Sequence, residues 1–571
     1  MLYLRLLMQV SLSCTRKLNT HCLMVNSVLK ILVKKKLQFF FLFYLVLLLP
    51  VLSPLAENLT KQDVLWLISA NCILFIAILI LLLFASPRWE KRIYTGIFVI
   101  AYLPGSIYIS YLLFAHVLLQ GNSIISLFET NPTESKEFLA HYFNPWIIVG
   151  FVVYIFLCFF IIWKMRAVPR IKIKEHKALF VSALVGVILF LVVPPLSKPV
   201  YFIQFYKLFV HYKIRLDKEE KAIIARQSQA YVVNDIDSAY QKTIVLVIGE
   251  SLTRTHMSLY GYPRETNPRL ASLGDSLLVY KDVLSPQVHT IPVLRSVMTM
   301  ADRNNPNNIT QKPSLIELFN RAGYKTYFIS TQPFGGNFKT SYDALLNLSQ
   351  YSCDLSIENQ PDEIVLPKFE EVLKQQTSAK QNKLIIIHLI GNHMAYEFRY
   401  TPSFNVFNNN KDHMIKETEY RDKQAIHTID KYDNSVLYND DLVYKLIKTL
   451  QNKQKGESAL IYFSDHGEEI YDMRNFSGHA YEKISTYMCE VPFVVWLSSN
   501  YRNMRSDLSI VPERPYSTGD VIFSISDLAN LKYEDYDDTK SIFSKNFVPT
   551  ERYIGNKTYD EVKALQKNYK K

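Results

Sequence analysis

Long apolar runs dominate the chain up to about residue 200, and short ones set in polar sequence dominate the rest. Five long runs, at 38–55, 64–85, 95–119, 145–163 and 178–197, approach or exceed the roughly 20 mostly apolar residues that a helix needs to cross a bilayer. Tyr, Trp and Phe cluster near several of their ends, as interfacial anchors do. Beyond 240 the apolar runs shrink to 243–248, 325–329, 384–389, 459–463 and 492–497. These are rich in Val, Ile and Tyr and do not alternate with polar residues, the pattern of strands covered on both faces. Helices are expected between them: one at 313–321, opened by Pro313 and closed before Gly323, and a longer one at 431–450. Strands alternating with helices predict an α/β fold with a mostly parallel sheet. Ligands in such sheets bind just beyond the carboxyl ends of the strands.

Charge gives the apolar half its orientation. The net charge is +12, but the positive residues flank apolar runs. No basic stripe interleaves with aromatics as single-strand binding requires, so no nucleic-acid partner is expected. Lys30, Lys34, Lys35 and Lys36 precede the first run; Arg88, Lys91 and Arg92 separate the second and third; Lys164, Arg166, Arg170, Lys172, Lys174 and Lys177 separate the fourth and fifth. The alternate loops carry only Lys61 and Lys136. Cytoplasmic loops are the Lys/Arg-rich ones, which places the N-terminus inside and everything after about 198 outside. The expected division is 1–36, a cytoplasmic tail or an upstream start with Met24 as the alternative; 37–197, a five-span membrane domain; 198–240, a linker with interfacial helices; and 241–571, an extracytoplasmic catalytic domain. No internal repeat marks a transporter and no charged pair sits mid-span, so the spans read as an anchor.

Three strand ends deliver candidate chemistry. Gly249-Glu250-Ser251 follows the first strand, Ser464-Asp465-His466-Gly467-Glu468 follows the 459–463 strand, and His388 ends the 384–389 strand before Gly391-Asn392-His393. Glu250, Asp465 and His466 form an O,O,N set suited to Zn²⁺, with Mn²⁺ as an alternative. Three protein ligands leave a fourth position, the pattern of a catalytic rather than a structural site. Ser251, Thr253 and Thr290 are the hydroxyls that could take it; Ser251 could equally be a helix N-cap. A loop leading into a helix at Thr290 would aim backbone N–H groups at a phosphate there, and Arg295 would add charge. His393 and His479 lie in polar, Gly-containing loops, where they suit proton handling or a second metal. His388, inside a strand, fits a core role as well. Of six cysteines only Cys353 and Cys489 lie in the polar half; they form either one disulfide or two separate buried thiols.

The run Ile248-Gly249-Glu250-Ser251-Leu252-Thr253-Arg254, continued by Ser258-Leu259-Tyr260-Gly261-Tyr262-Pro263-Arg264-Glu265-Thr266-Asn267-Pro268, resembles the phosphoethanolamine transferases of Gram-negative envelopes. Gly391-Asn392-His393, Tyr432-Asp433-Asn434-Ser435-Val436, Ser464-Asp465-His466-Gly467-Glu468 and Ser477-Gly478-His479 agree in order, as does Phe128-Glu129-Thr130-Asn131-Pro132-Thr133-Glu134 in the apolar half. The likeness covers about 38 to 500. It implies five transmembrane helices carrying an alkaline-phosphatase/sulfatase-like domain, anchored in a bacterial inner membrane with the catalytic part in the periplasm. Glu250, Asp465 and His466 would hold catalytic zinc with Thr290 as nucleophile. His393 and His479 would bind substrate phosphate or a second zinc, His388 and Lys339 would contact substrate, and Asn131 and Glu134 would meet the lipid headgroup. The donor would be phosphatidylethanolamine, the acceptor lipid A or the lipopolysaccharide core, and the intermediate a phosphoethanolaminyl-threonine. The chain departs from many lipid A–modifying members in its few cysteines and in its His289-Thr290-Ile291-Pro292 loop. Both features resemble the cysteine-poor members that modify core sugars. Lipoteichoic-acid synthases, which transfer glycerol phosphate with manganese, are the alternative on the same architecture. A plain sulfatase would need Cys or Ser where Thr290 stands, and a non-catalytic scaffold would need no complete ligand set.

Overall fold

The computed structural model describes residues 60–569 apart from 116, 120, 131, 142–144, 165–171, 199, 237–240, 335–339, 341, 376–380, 409–410, 412 and 455, together with Phe43, Leu47 and Leu48. The expected span at 38–55 thus lies outside the described residues except at those three positions. The chain divides into two compact units: 1–120 with 143–210, and 121–142 with 211–571. The stretch 121–142, which the sequence places between the third and fourth apolar runs, thus packs with the larger unit.

Among the described residues, the helices of nine residues or more that precede the sheet are α1 (Lys61–Phe84), α2 (Pro87–Ala115), α3 (Gly121–Glu129), α4 (Pro132–His141), α5 (Pro145–Lys164), α6 (Lys177–Val192) and α7 (Tyr201–Arg226). In the smaller unit α1 packs on α6 and α2 on α5. A capping box starts α1: Thr60 Oγ1 accepts from Asp63 N at 3.2 Å, and Asp63 Oδ2 accepts from Thr60 N at 3.0 Å. Among the described residues, two stretches, 62–84 and 88–113, are long and apolar enough to cross a membrane, and 148–163 and 177–192 are shorter apolar helices. Ile73, Ile76, Val99, Ile100, Phe156 and Trp163 stand exposed along them, apolar surface of the kind that needs a cover other than water.

The larger unit is built on a seven-stranded sheet: β1 (Lys242–Gly249), β2 (Leu277–Tyr280), β3 (Lys325–Ser330), β4 (Tyr351–Asp354), β5 (Lys383–His388), β6 (Glu457–Ser464) and β7 (Phe493–Leu497). Their order is β2-β7-β6-β1-β5-β3-β4. The run β6-β1-β5-β3-β4 is parallel throughout, and β7 is antiparallel to both of its neighbours. All eight residues of β1 are buried. Ile244, Leu246 and Ile248 face a layer containing α8 (Thr290–Met298), α9 (Leu315–Arg321) and the later α12 (Val521–Leu528). Val245 and Val247 face the opposite layer, with α10 (Val365–Lys374) and α11 (Lys423–Lys453). This two-sided cover explains the unalternating apolar strands.

Helix ends follow local chemistry. The expected 313–321 helix begins at Leu315, because Ser314 Oγ caps Glu317 N at 3.3 Å and Glu317 Oε2 returns to Ser314 N at 2.8 Å. α11 starts eight residues before the expected 431, at a cap where Asp422 Oδ1 accepts from Ala425 N at 2.8 Å. Ala425, Ile426 and Ile429 extend its buried stripe, which the polar residues among them conceal in the sequence. Cys353 and Cys489 are separate free thiols.

Candidate active site

Strand register assembles the site. Ile248 lies beside His388 on β5 and Phe463 on β6, and Gly249 lies beside Ser464. The residues one step further, Glu250 and Asp465, therefore emerge side by side. Their carboxylates and the His466 imidazole offer ligand atoms all within 4.8 Å of one another, and all three residues are buried. His466 Nε2 is 3.2 Å from Glu250 Oε1 and 3.5 Å from Asp465 Oδ2. Burial disfavours charge on His466, but the Asp465 and Glu250 carboxylates pull it up to about 10. Asp465 is pushed up to about 8, by burial and then by the neighbouring Glu250 charge. Burial also pushes Glu250 up, yet His466 overrides it and holds this carboxyl well below its usual range. Two carboxylates and one imidazole sealed from water are thus short of positive charge. Among the described residues, none donates a hydrogen bond to Asp465 Oδ2. Buried groups in this state need a cation or a proton, and the donor set fits zinc.

Thr290 opens α8, with His289 as its N-cap. Its hydroxyl lies 3.1 Å from Glu250 Oε2, 3.2 Å from Glu250 Oε1 and 3.4 Å from His466 Nε2. The two rival hydroxyls do less: Ser251 Oγ reaches Glu250 Oε1 alone, at 3.0 Å, and Thr253 Oγ1 turns to Thr255 Oγ1 and the Glu490 carbonyl. Arg295, expected to add charge near Thr290, has a partner that the sequence did not indicate. It forms a two-pronged pair with Glu219 of α7, at 2.9 and 2.8 Å.

The histidines divide. The ring of His479 lies 4.2 Å from that of His466 and 4.8 Å from that of His289. Burial pushes His479 well below its usual value and His289 down to about 3, and the His466 charge adds to both. His388 ends β5 beneath the site, near the rings of Phe328 and Tyr342; burial lowers it to about 4. His393 accompanies Glu134 and Glu137 of α4, and it is close enough to Glu250 for their charges to interact. Asn131 and Lys339 lie outside the described residues.

Sequence reasoning missed several participants. Gln332, two residues past β3, donates to Glu250 Oε2 at 3.0 Å and to the Leu389 carbonyl at 2.9 Å; its place after a strand on the same sheet edge is the signal that could have found it. Asp362 accepts from the backbone of Ile390 and Gly391 at 3.0 and 2.8 Å and from Thr331 Oγ1, fixing the turn beside Glu250. Glu468 receives the Tyr396 hydroxyl at 2.8 Å. Glu137 had no local signal, because its partner His393 is 256 residues away.

The family model described as Sulfatase matches residues 242–531, the part of the chain that holds the sheet and this strand-end cluster. The chain is 30% identical over 520 residues to phosphoethanolamine transferase EptC of Escherichia coli strain K12, covering 85% of this chain and 88% of that protein. It is 30% identical over 464 residues to phosphoethanolamine transferase CptA of Salmonella typhimurium, covering 75% and 78%. The crystal structure of the C-terminal periplasmic domain of EptC from Escherichia coli, in complex with Zn, is 34% identical with a TM-score of 0.53, over 57% of this chain and 92% of that one. The integral membrane protein lipooligosaccharide phosphoethanolamine transferase A from Neisseria meningitidis shares the fold, at 20% identity and a TM-score of 0.63, over 88% of this chain and 95% of that one. The chain belongs to the phosphoethanolamine transferases.

Proposed function

We propose that this transferase moves phosphoethanolamine from phosphatidylethanolamine to a lipopolysaccharide acceptor, a core sugar or a lipid A phosphate, through a covalent phosphoethanolaminyl-Thr290. It would act from a multi-pass anchor in a bacterial inner membrane, with 241–571 in the periplasm. One observation carries the reading: the Thr290 hydroxyl touches both Glu250 and His466 at the mouth of the buried ligand set. Glu250, Asp465, His466 and Thr290 would hold zinc, which when bound lowers the pKa of the hydroxyl and draws off phosphate charge.

The chain's own residues divide the remaining work. Thr290 Oγ attacks phosphorus, the bond from phosphorus to the glycerol oxygen breaks, and diacylglycerol leaves with a proton. The N-terminus of α8 presents unpaired backbone N–H groups to the phosphate. His393 and His479 flank the ligand set, where they bind the phosphate oxygens and pass the proton to the leaving oxygen. In the second half the acceptor oxygen attacks the same phosphorus, its proton goes to a histidine, and Thr290 is released. Glu134 stands beside His393 with a negative charge suited to the ethanolamine ammonium.

Mass spectrometry of lipid A and core oligosaccharide, from cells carrying the wild type or Thr290→Ala, tests the reading. A phosphoethanolamine increment with the wild type only is expected. An increment that survives Thr290→Ala, or a glycerol phosphate increment in its place, discards it.

A further inference from the structure

We infer that Glu137, on α4, is a positioning residue for phosphoryl transfer: its carboxylate, gripped by Arg399, takes Nδ1 of His393 and leaves Nε2 to serve the reacting phosphate. The inference rests on the reading of His393 as a substrate-binding group. Glu137 Oε2 lies 3.2 Å from His393 Nδ1 and 2.5 Å from Arg399 Nη2. Arg399 is 3% exposed, and it also donates Nε to the His393 carbonyl at 3.1 Å and Nη2 to the Met394 carbonyl at 2.8 Å. One buried guanidinium therefore fixes both the backbone that carries His393 and the acid that orients its ring.

An ionised carboxylate can only accept, so Nδ1 must be the donating nitrogen. This sets the orientation of the imidazole and presents Nε2 on the other side of the ring, as a hydrogen-bond partner on one nitrogen does for histidines at reactive centres. The charges that act on His393 come from four directions: Glu134 and Glu137 on α4, Arg399 on its own loop, Glu250 after β1, and Glu468 with His479 after β6. Of these, Glu137 is the group that meets Nδ1 directly. Glu137 itself is pushed up by burial, yet hydrogen bonding from His393 and the charge of Arg399 hold it below its usual value. Glu137 comes from the stretch between two apolar helices, α2 and α5, that packs with the catalytic unit. A segment of chain far from the strand ends thus completes the site.

Full-length enzyme in phosphatidylethanolamine vesicles that also hold lipopolysaccharide as acceptor, assayed by steady-state diacylglycerol release, tests this. Glu137→Ala is expected to lower kcat about 10- to 100-fold, the usual cost of removing a partner that orients a reactive group, with KM changed much less. Glu137→Gln keeps an acceptor oxygen for Nδ1 and is expected to recover part of that rate. In both variants the alkaline limb of the kcat profile should move to lower pH, because the charge that favours the imidazolium is gone. Melting temperatures are measured alongside. A Glu137→Ala enzyme with wild-type kcat and pH profile overturns the inference, and so does a rate loss that follows melting temperature with the pH profile unmoved. A wild type that releases no diacylglycerol defeats the transferase reading itself, and is told apart from a failure of Glu137 because the wild type is then also inert.

Discussion

Gly391 occupies a place where a side chain has no room. Its φ of +52° lies in the left-handed region, and a Cβ there would come within 2.7 Å of Glu250 N and 2.9 Å of Glu250 O. Backbone at both positions prevents either side from yielding. Gly391→Ala is therefore expected to cost about 1–3 kcal/mol of stability and to displace Glu250. Thermal unfolding should show the first effect and zinc content of the purified protein the second; unchanged zinc would mean that Glu250 is not a ligand. Ser251, the next residue after Glu250, also has positive φ, 56°. It is pinned by its own contacts to Glu250 and Asp465, so strain is concentrated where the ligands emerge.

At the scale of an element, α11 is the frame on which the site loops are hung. Over one turn Tyr432 OH donates to the Ser251 carbonyl at 2.7 Å and accepts from Thr253 N at 3.0 Å. Asp433 takes Arg264 at 2.6 Å, His256 at 2.7 Å and Tyr262 at 2.9 Å, and Ser435 takes Asn392 at 2.6 Å. Arg264 is fully buried between Asp433 and Asp430. Arg264→Ala would take from both buried acids the guanidinium they share, and a loss on the order of 3–5 kcal/mol is expected in chemical denaturation. His256 bridges Asp433 and Asp472 at 2.7 and 3.2 Å. Burial alone would lower it, but the Asp472 and Asp433 carboxylates raise it from 6.5 to about 9. Since the folded value is the higher, this stabilisation is complete below pH 6.5 and disappears as pH rises through 9. It is worth on the order of 3 kcal/mol. Melting temperature should fall over that interval in the wild type and fall less in His256→Asn.

Much of this element-scale design was legible. Strand ends carrying Glu250, Asp465 and His388 could be read because a parallel sheet puts every carboxyl end on one edge. The Tyr432–Val436 turn was legible as a resemblance only, since Tyr432 and Asp433 work through partners more than 165 residues distant. The partner of Arg295 was hidden for the same reason: Glu219 lies 76 residues away. Sequence periodicity reports burial, and it does not report which buried charge finds which partner.

For the whole molecule, the deficit of positive charge in the Glu250, Asp465 and His466 cluster predicts that stability depends on a bound cation. Dialysis against a chelator is expected to lower the melting temperature and zinc to restore it. A ligand at a thousand times its dissociation constant contributes about 4 kcal/mol. Thr290→Ala, which keeps three ligands, should retain most of the zinc response, whereas Asp465→Ala should lose it. Equal melting temperatures with and without chelator would argue that the cluster is held by protons.

The unpaired state of Cys353 and Cys489 has a practical meaning for biogenesis. Cohesion of the larger unit comes from its sheet and two apolar layers, and no crosslink between these two thiols has to form before it is finished. Maturation of the larger unit is thus expected to be indifferent to the oxidant supply around the nascent chain. Dithiothreitol should leave the unfolding curve where it was, and a host deprived of its thiol-oxidising machinery should still yield active enzyme.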